Sequence, residues 1–476
     1  MFGKIKKIHL VGIGGIGMCG IAELLINWDF QISGSDIQVS ANTDRLTKLG
    51  AKITIGHSKK NVIDCDTLVY SSAIKSDNPE IIAASKKKIP IIRRAEMLGE
   101  MIKLKPISIA VGGTHGKTTT TLMVGHIFSE GKRDPVIIAG GIDKSTESTV
   151  KPGNGDIIIV EADEFDRSFL ELTPTQTIIT TVEAEHLDCY SSLEDIENTF
   201  IQFANSIPFY GTITACIDEP GIRKILPELD KKVNTYGISP DADIYAEDIN
   251  LQGYNSYFKV KSHGKDIGQV HLSVPGIHNI KNALAAITLG LEFDIPFKTI
   301  ASSLSKFRGV KRRFEIISET DNYMLVDDYA HHPTEIKATL RAAKDGWNRR
   351  IIAIFQPHLF TRTRDFYNEF GEALQEADVI IVLDVFPARE KPIKGISGKL
   401  IANAARKLGH REVYYGDRDT LPTLIKKHTK PGDMIFTLGA GDIWKVHKKI
   451  KEILVKIYSP PQRGLYEAEI VPTGSP

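Results

Sequence analysis

The stretch from Val111 to Thr121, directly behind the apolar run Ile107–Val111, constrains the fold of this chain most strongly. A β-branched run that turns into glycines and then Lys-Thr predicts a strand, a tight loop and the start of a helix. Main-chain N–H groups of such a loop, together with the positive end of the helix dipole, bind phosphate. Lys117 would neutralise phosphate oxygens, and the Thr118 hydroxyl would hold Mg²⁺. The stretch predicts an ATP site, although Val111 stands where the strict pattern has glycine.

Length and composition limit the classes of protein. A chain of 476 residues suggests about three domains. The formal net charge of +1 argues against a nucleic-acid partner. The 4 cysteines form no C-x-x-C pair, which fits a reducing, cytoplasmic location. No apolar run approaches the length that spans a bilayer, so no membrane partner is expected. We expect a monomer or a homodimer.

Three apolar runs each lead into a glycine-rich or charged turn: Ile8–Val11, Ile107–Val111 and Tyr323–Val326. Short apolar runs alternate with helical-period segments between them, which predicts parallel α/β units. We predict a Rossmann-like N-terminal domain over residues 1–105, a central P-loop ATPase-like domain over 106–315 and a Rossmann-like C-terminal domain over 316–458. A small antiparallel insertion is expected within Asp243–His271. Residues 459–476, rich in proline, are expected to be disordered.

The N-terminal turn carries Gly12-x-Gly14-x-x-Gly17, and Asp36 follows about 20 residues later, after the strand-like run Phe30–Gly34. This is the dinucleotide fingerprint, in which a pyrophosphate rests on a helix N-terminus and an acid binds a ribose hydroxyl. The pattern does not say which nucleotide binds. An NAD-dependent dehydrogenase and a purely structural turn therefore remain open at this point.

Acidic and histidine residues follow two further strand-like runs. Glu161 begins an acidic cluster after Asp156–Val160, where an ATPase places its second metal ligand. His186 follows Thr177–Val182 and is a candidate ligand of a second Mg²⁺ or of phosphate. A solvated acidic loop is the alternative for the first segment, and an ordinary histidine without a ligand role is the alternative for His186.

Three other segments carry candidate binding groups. His278, Asn279 and Asn282 lie at a predicted helix start, where the two asparagines either cap the helix or bind adenine. The basic run 308–314 precedes the third domain, and one arginine there is a candidate partner of the γ-phosphate. Histidines and arginines in the segments 328–333 and 356–364, Arg362 and Arg364 among them, suggest a small anionic substrate, because the arginine fork binds carboxylates.

Seven of these segments together resemble the Mur ligases, in order and at the expected distances, from about Lys7 to Lys451. The matching segments are Gly12–Met18, Gly113–Thr119, Glu161–Glu164, His186–Asp188, His278–Asn279, Arg312–Phe314 and Asp328–Glu335.

The resemblance implies an ATP-dependent ligase of peptidoglycan synthesis that joins L-alanine to UDP-N-acetylmuramate through an acyl phosphate, with ATP and Mg²⁺. It implies catalytic roles for Lys117, Glu161, His186 and Arg313. It implies metal ligands at Thr118, Glu161 and His186. The implied ATP site comprises Gly113, Thr114, His115, Gly116, Lys117, Thr118, Thr119, His278, Asn279, Asn282 and Asp328. The implied UDP-sugar site comprises Gly14, Gly15, Gly17, Met18, Asp36, Ser72 and Arg94. L-Alanine is implied to bind at Tyr329, His331 and Arg362.

Two departures refine this expectation. Later ligases of the family carry a carbamylated lysine after the His-Leu-Asp motif, but Tyr190–Tyr210 contains no lysine, which favours the alanine-adding member. Leu359 stands where some relatives carry a basic residue, so the alanine carboxylate would depend more on Arg362. The alternatives are a recycling ligase that joins UDP-N-acetylmuramate to a tripeptide, an NAD-dependent dehydrogenase and a nucleotide-sensing module.

Overall fold

The computed structural model describes residues 2–185 and 189–458. These residues form two compact units. The first comprises the chain up to Phe314 together with Arg341–Asn348, and the second comprises Glu315–Leu340 and the residues from Arg349 onward. In these described ranges, no helix has the length and the apolar character that crossing a membrane requires.

The first unit begins with a five-stranded parallel sheet in the order β3-β2-β1-β4-β5. Its central strand, β1, is a buried apolar run, as expected for a strand covered on both faces. The strands are β1 Lys7–Val11, β2 Gln31–Asp36, β3 Lys52–Ile55, β4 Thr67–Tyr70 and β5 Ile91–Arg93. The helices are α1 Ile16–Asn27, α2 Ala41–Lys48, α3 Pro79–Lys86 and α4 Arg94–Ile102.

A ten-stranded sheet completes the first unit, in the order β15-β14-β13-β12-β11-β10-β6-β9-β7-β8. The strands are β6 Ile107–Gly112, β7 Val136–Asp143, β8 Ser148–Lys151, β9 Ile157–Glu161, β10 Gln176–Ile179, β11 Thr212–Cys216, β12 Lys232–Gly237, β13 Ile244–Gln252, β14 Asn255–Ser262 and β15 Lys265–Leu272. The helices are α5 Lys117–Glu130, α6 Leu193–Asn205, α7 Pro220–Ile225, α8 Ile277–Glu292 and α9 Phe297–Lys306. Strand β6 lies between β10 and β9, so the loop after it opens between the ends of two parallel neighbours.

The second unit is built on a six-stranded sheet in the order β16-β17-β21-β18-β19-β20, in which only the edge strand β16 is antiparallel to its neighbour among the described residues. The strands are β16 Glu315–Thr320, β17 Tyr323–Asp328, β18 Ile351–Phe355, β19 Val379–Val382, β20 Val413–Tyr415 and β21 Asp433–Leu438. The helices of this region are α10 Pro333–Gly346, α11 Phe360–Ala373, α12 Gly398–Lys407, α13 Leu421–His428 and α14 His447–Tyr458.

The predicted α/β class, with three sheets and a mixed central sheet, is confirmed. The antiparallel strands β13–β15 extend the central sheet from β12, since β13 pairs with it in parallel. Several strand ends differ from the prediction: β10 stops at Ile179, whereas β2 continues through Asp36, β9 through Glu161 and β17 through Asp328. The domain limits stay a prediction, and the expected disordered tail at 459–476 lies outside the described residues.

Candidate active site

The loop between β6 and α5 requires glycine at two positions. Gly113 has φ +131°, and a Cβ there would collide with the Thr180 hydroxyl. Gly116 has φ +84°, and a Cβ would lie 2.5 Å from Asn282 Oδ1. Both backbones lie in the region that other residues rarely adopt. Val111 needs no such freedom, because it is a buried residue of β6 paired with β9 and β10.

The segment that follows β10 supports this loop. The Thr114 amide donates to Thr181 O at 3.0 Å, and the His115 amide donates to Thr181 Oγ1 at 2.8 Å. The Glu183 amide donates to the Thr114 hydroxyl at 2.9 Å. Thr180 and Thr181 hold the loop in place, a role that the sequence analysis missed because no local pattern marks it.

Lys117 begins α5 and turns back over the loop. Its Nζ donates to Gly113 O at 2.7 Å and to Thr114 O at 3.1 Å, and it lies 2.7 Å from Glu164 Oε2. Burial alone would lower the pKa of Lys117, but the carboxylates around it, led by Glu164 and Asp163, outweigh this effect and raise that pKa above its usual value. The lysine is therefore held as a largely buried cation beside the predicted phosphate site.

The predicted pair of Mg²⁺ ligands is brought together. Thr118 Oγ1 donates to Glu161 Oε2 at 2.8 Å, and the Gly140 amide donates to the same oxygen at 2.6 Å. Burial raises the pKa of the Glu161 carboxyl, opposed by the charge of Lys117. Neighbouring ligands of an octahedral Mg²⁺ with bonds of about 2.1 Å lie about 3 Å apart. The spacing and the oxygen chemistry of Thr118 and Glu161 therefore fit one Mg²⁺. His186, the third predicted ligand, lies outside the described residues.

The asparagines of α8 face the phosphate loop and do not cap their helix. Gly276 occupies the N-cap position, and Asn279 Nδ2 donates to Pro275 O at 2.7 Å. Asn282 Nδ2 donates to Asn279 Oδ1 at 3.2 Å, and its own Oδ1 accepts from Thr120 of α5 at 3.2 Å. This chain of contacts links α8 to α5 beside Gly116. An adenosine-binding role for Asn279, Asn282 and His278 stays a prediction.

Asp36, the last residue of β2, holds the glycine turn after β1 in place. Its Oδ2 accepts from the Gly14 amide at 2.8 Å, and its Oδ1 accepts from the Ile37 amide at 2.8 Å. Met18 is buried in the core, whereas Ser72 is exposed. Contact of these residues with a UDP-sugar stays a prediction.

Arg94 connects this turn to the acidic segment after β9. Its guanidinium lies so close to Gly17 that a Cβ there would stand 3.1 Å from a guanidinium nitrogen. The same group donates to Asp163 Oδ2 at 3.3 Å. Asp163 lies two residues beyond Glu161. The predicted UDP-sugar turn and the predicted phosphate site are therefore neighbours within one compact unit.

The basic run 308–314 also lies beside the phosphate loop. The Lys311 amide donates to Ile142 O at 2.9 Å, at the end of β7. A Cβ on Gly141 would lie 3.0 Å from both Thr118 and Val310. Arg313 follows Val310 by three residues and is partly exposed. Its action on the γ-phosphate stays a prediction.

A second group of predicted residues lies in the second unit. The rings of Tyr329 and His331 are 5.2 Å apart, and those of His331 and His358 are 6.1 Å apart. Arg362 is buried, with a guanidinium nitrogen 3.4 Å from His358 Nδ1. Burial, with the charges of His331 and Arg362, lowers the pKa of His358 to about 3. The cluster keeps His358 neutral and leaves the cationic role to Arg362.

Two details of this second group differ from the sequence analysis. Asp328 is buried as the last residue of β17 and does not follow the strand; its Oδ1 accepts from the Ala330 amide at 2.7 Å. Arg364 does not join the cluster, because it is half exposed and pairs with its neighbour Asp365 at 2.6 Å. The predicted convergence of two arginines is therefore wrong for Arg364.

Family models match all three parts of the chain: "Mur ligase family, catalytic domain" at residues 7–106, "Mur ligase middle domain" at 111–290 and "Mur ligase, glutamate ligase domain" at 312–441. The chain belongs to the Mur ligase family. It is 46% identical to the UDP-N-acetylmuramate–L-alanine ligase of Geotalea uraniireducens, over 95% of this chain and 99% of that protein. Mur ligases use ATP.

Solved structures of Mur ligases show the same architecture. A crystal structure of UDP-N-acetylmuramate–alanine ligase from Thermotoga maritima is 32% identical, with a TM-score of 0.78 over 94% of this chain and 98% of that one. A murein peptide ligase from Psychrobacter arcticus is 24% identical, with a TM-score of 0.70 over 96% of this chain and 100% of that one, and this likeness shows the fold alone. The predicted family and fold are confirmed.

Proposed function

We propose that this chain joins L-alanine to UDP-N-acetylmuramate with conversion of ATP to ADP and phosphate, in peptidoglycan precursor synthesis. The arrangement beside the phosphate loop carries the proposal: Thr118 and Glu161 meet next to this loop, and Arg94 links Asp163, two residues after Glu161, to the glycine turn after β1. The alanine ligase of Geotalea uraniireducens matches nearly end to end. The prediction of a ligase that adds alanine to UDP-N-acetylmuramate is thereby confirmed.

The reaction forms an amide from a carboxylate that is unreactive until it is activated. In the proposed sequence, the lactyl carboxylate attacks the γ-phosphorus of ATP, which gives an acyl phosphate and releases ADP. The alanine amine then attacks the acyl carbon, loses a proton, and expels inorganic phosphate. Charge spreads over the transferred phosphoryl oxygens in the first step, so the fixed cation of Lys117 and the loop amides stabilise that transition state. Most of the catalysis is positioning and electrostatics.

Thr118 and Glu161 are the proposed protein ligands of Mg²⁺, and their 2.8 Å separation supports this. When bound, the ion would neutralise phosphate oxygens and act as a Lewis acid at the phosphoryl group. A second ion at His186 is also proposed, by resemblance to the family.

Tyr329, His331 and Arg362 are the proposed alanine site. Arg362 is buried beside a neutral His358, which suits the binding of a single carboxylate. Leu359 supplies no second cation nearby. We expect Arg362→Lys to raise the KM for alanine more than it changes the KM for ATP.

One experiment tests the reaction: release of ADP from ATP in the presence of UDP-N-acetylmuramate, with single amino acids or a tripeptide as acceptor. We expect ADP release with L-alanine and little with glycine, serine or the tripeptide. Preference for the tripeptide would identify a recycling ligase. Binding of NADH in a fluorescence titration would instead support a dehydrogenase. A cytoplasmic location, a monomer or homodimer, and the absence of nucleic-acid and membrane partners remain predictions.

A further inference from the structure

The amine of Lys117 already has a hydrogen-bond acceptor for each of its three protons. A lysine ammonium donates three hydrogen bonds. Its Nζ donates to Gly113 O at 2.7 Å, to Thr114 O at 3.1 Å and to Glu164 Oε1 at 2.9 Å, and the second carboxylate oxygen of Glu164 lies 2.7 Å away as an ion-pair contact, without accepting a hydrogen bond among the described residues. A phosphate oxygen can therefore bind this amine only if one of the present acceptors leaves.

The two carbonyl acceptors are fixed by the loop. Gly113 is pressed against Thr180, and Thr114 is tied by its amide and its hydroxyl to the segment after β10. Glu164, in contrast, presents its carboxylate at the end of three rotatable bonds. The carboxylate is the acceptor that can yield without a change of the backbone.

The main chain around Glu164 is held independently of that carboxylate. The Tyr190 hydroxyl donates to Glu164 O at 2.6 Å. Arg167 lies over the Tyr190 ring at 5.0 Å and donates to both oxygens of Asp195, at 2.8 and 2.7 Å. Exchange at Lys117 can therefore leave the main chain at Glu164 in place.

Charge makes the carboxylate and the phosphate compete for the lysine. Glu164 is buried, with Asp163 and Glu161 close enough to affect the same lysine. An incoming polyphosphate adds negative charge to this group of carboxylates, and like charges in a poorly solvated site repel one another. Carboxylate and phosphate are thus alternative anionic partners of one amine.

We propose that Glu164 is a positioning residue that competes with the nucleotide phosphates for Lys117. It holds the amine in the nucleotide-free protein, gives it up when the phosphates bind, and takes it back as ADP leaves. The competition weakens nucleotide binding and speeds product release. This inference rests on the proposed nucleotide site at the same loop.

The test is the Kd for ADP with Mg²⁺, measured by calorimetry on the full chain. Because a neutral amide holds the lysine less strongly than a carboxylate does, we expect Glu164→Gln to bind ADP at least about fivefold more tightly. We expect slower ADP dissociation in stopped flow. The matched control is Asp166→Asn, which removes an exposed charge two residues away at a left-handed position that asparagine tolerates.

A double-mutant cycle separates competition at Lys117 from general charge removal. The gain in ADP affinity from Glu164→Gln should disappear when Lys117→Ala is also present. Weaker or unchanged ADP binding by Glu164→Gln, or an equal gain in both backgrounds, would overturn the inference. If the unsubstituted chain does not bind ADP, the proposed function fails instead. Should Glu164→Gln not fold, Glu164→Ala is measured in its place with the same expectation.

Discussion

Lys117 is the residue on which phosphoryl transfer should depend most. It is a largely buried cation at the start of α5, and its amine faces the loop carbonyls and Glu164. We expect Lys117→Ala to reduce kcat for ADP release by about a thousandfold or more, because charge on the transferred phosphoryl group loses its fixed partner. Binding of the UDP-sugar, measured by calorimetry, should stay within about twofold.

The control for this substitution is Lys103→Ala, at an exposed lysine that pairs with Glu100 at the end of α4. Lys103→Ala should leave both the kcat for ADP release and the binding of the UDP-sugar unchanged. Near-normal turnover by Lys117→Ala would show that the phosphate loop has been assigned incorrectly.

Gly116 has a steric role as well as a conformational one. Its φ of +84° disfavours any side chain, and a Cβ would press on Asn282 Oδ1 at 2.5 Å. We expect Gly116→Ala to lower the free energy of unfolding by about 2 kcal/mol and to weaken ADP binding about tenfold or more. Denaturant unfolding and calorimetry measure the two effects.

Gly56→Ala is the matched control, since Gly56 has φ +93° and nothing within 4 Å of the added Cβ. Gly56→Ala has the same unfavourable positive φ but lacks the steric contact with Asn282. Equal effects on ADP binding in the two variants would contradict the steric argument.

At the scale of elements, Glu80 of α3 joins two strands of the first sheet. Its carboxylate accepts from His9 of β1 at 3.1 Å, from Ser35 of β2 at 2.7 Å, and from the Asn61 side chain at 2.6 Å. Burial would raise the pKa of Glu80, but these donors together outweigh it and lower that pKa to about 2. The ionised carboxylate therefore stabilises the packing of α3 on the sheet.

The pH dependence of this contribution has a definite sign. The pKa of Glu80 is lowered in the folded protein, so its contribution is complete above the ordinary value of 4.5 and is lost as the pH falls toward about 2. We expect Glu80→Gln to lower the free energy of unfolding by about 2 kcal/mol at pH 7 and by less at pH 3. Urea unfolding at the two pH values measures this loss of unfolding free energy. Glu100→Gln, at an exposed residue of α4, serves as the control, and a constant deficit at both pH values would contradict the argument.

At the scale of the whole molecule, two compact units each carry their own hydrophobic core. Multi-unit chains commonly unfold in more than one step. We expect two transitions in calorimetric unfolding, and ADP with Mg²⁺ should raise the midpoint of the one that includes the phosphate loop by more than it raises the other. If two transitions are resolved and ADP raises both midpoints by equal amounts, the assignment of the ADP site to the first unit is contradicted.

The sequence alone determined the features that are local in the chain. A glycine-rich turn after an apolar run specifies strand, loop and helix within about fifteen residues, so Gly113–Thr118 and Gly12–Gly17 were predictable. The parallel α/β class followed from the repeated alternation of such units. The ordered motifs indicated the family, because seven segments matched in the expected order.

Tertiary structure decided which distant residues meet. The order of strands puts β6 between β9 and β10, and this brings Glu161, Glu164 and Thr181 to one loop. Arg94 and Asp163 are 69 residues apart in sequence, and their contact has no local signal. Strand order depends on how buried faces pack over the whole unit, whereas a turn depends on a few neighbouring residues. The sequence therefore predicted the phosphate loop, and only the fold showed that Lys117 is paired with Glu164.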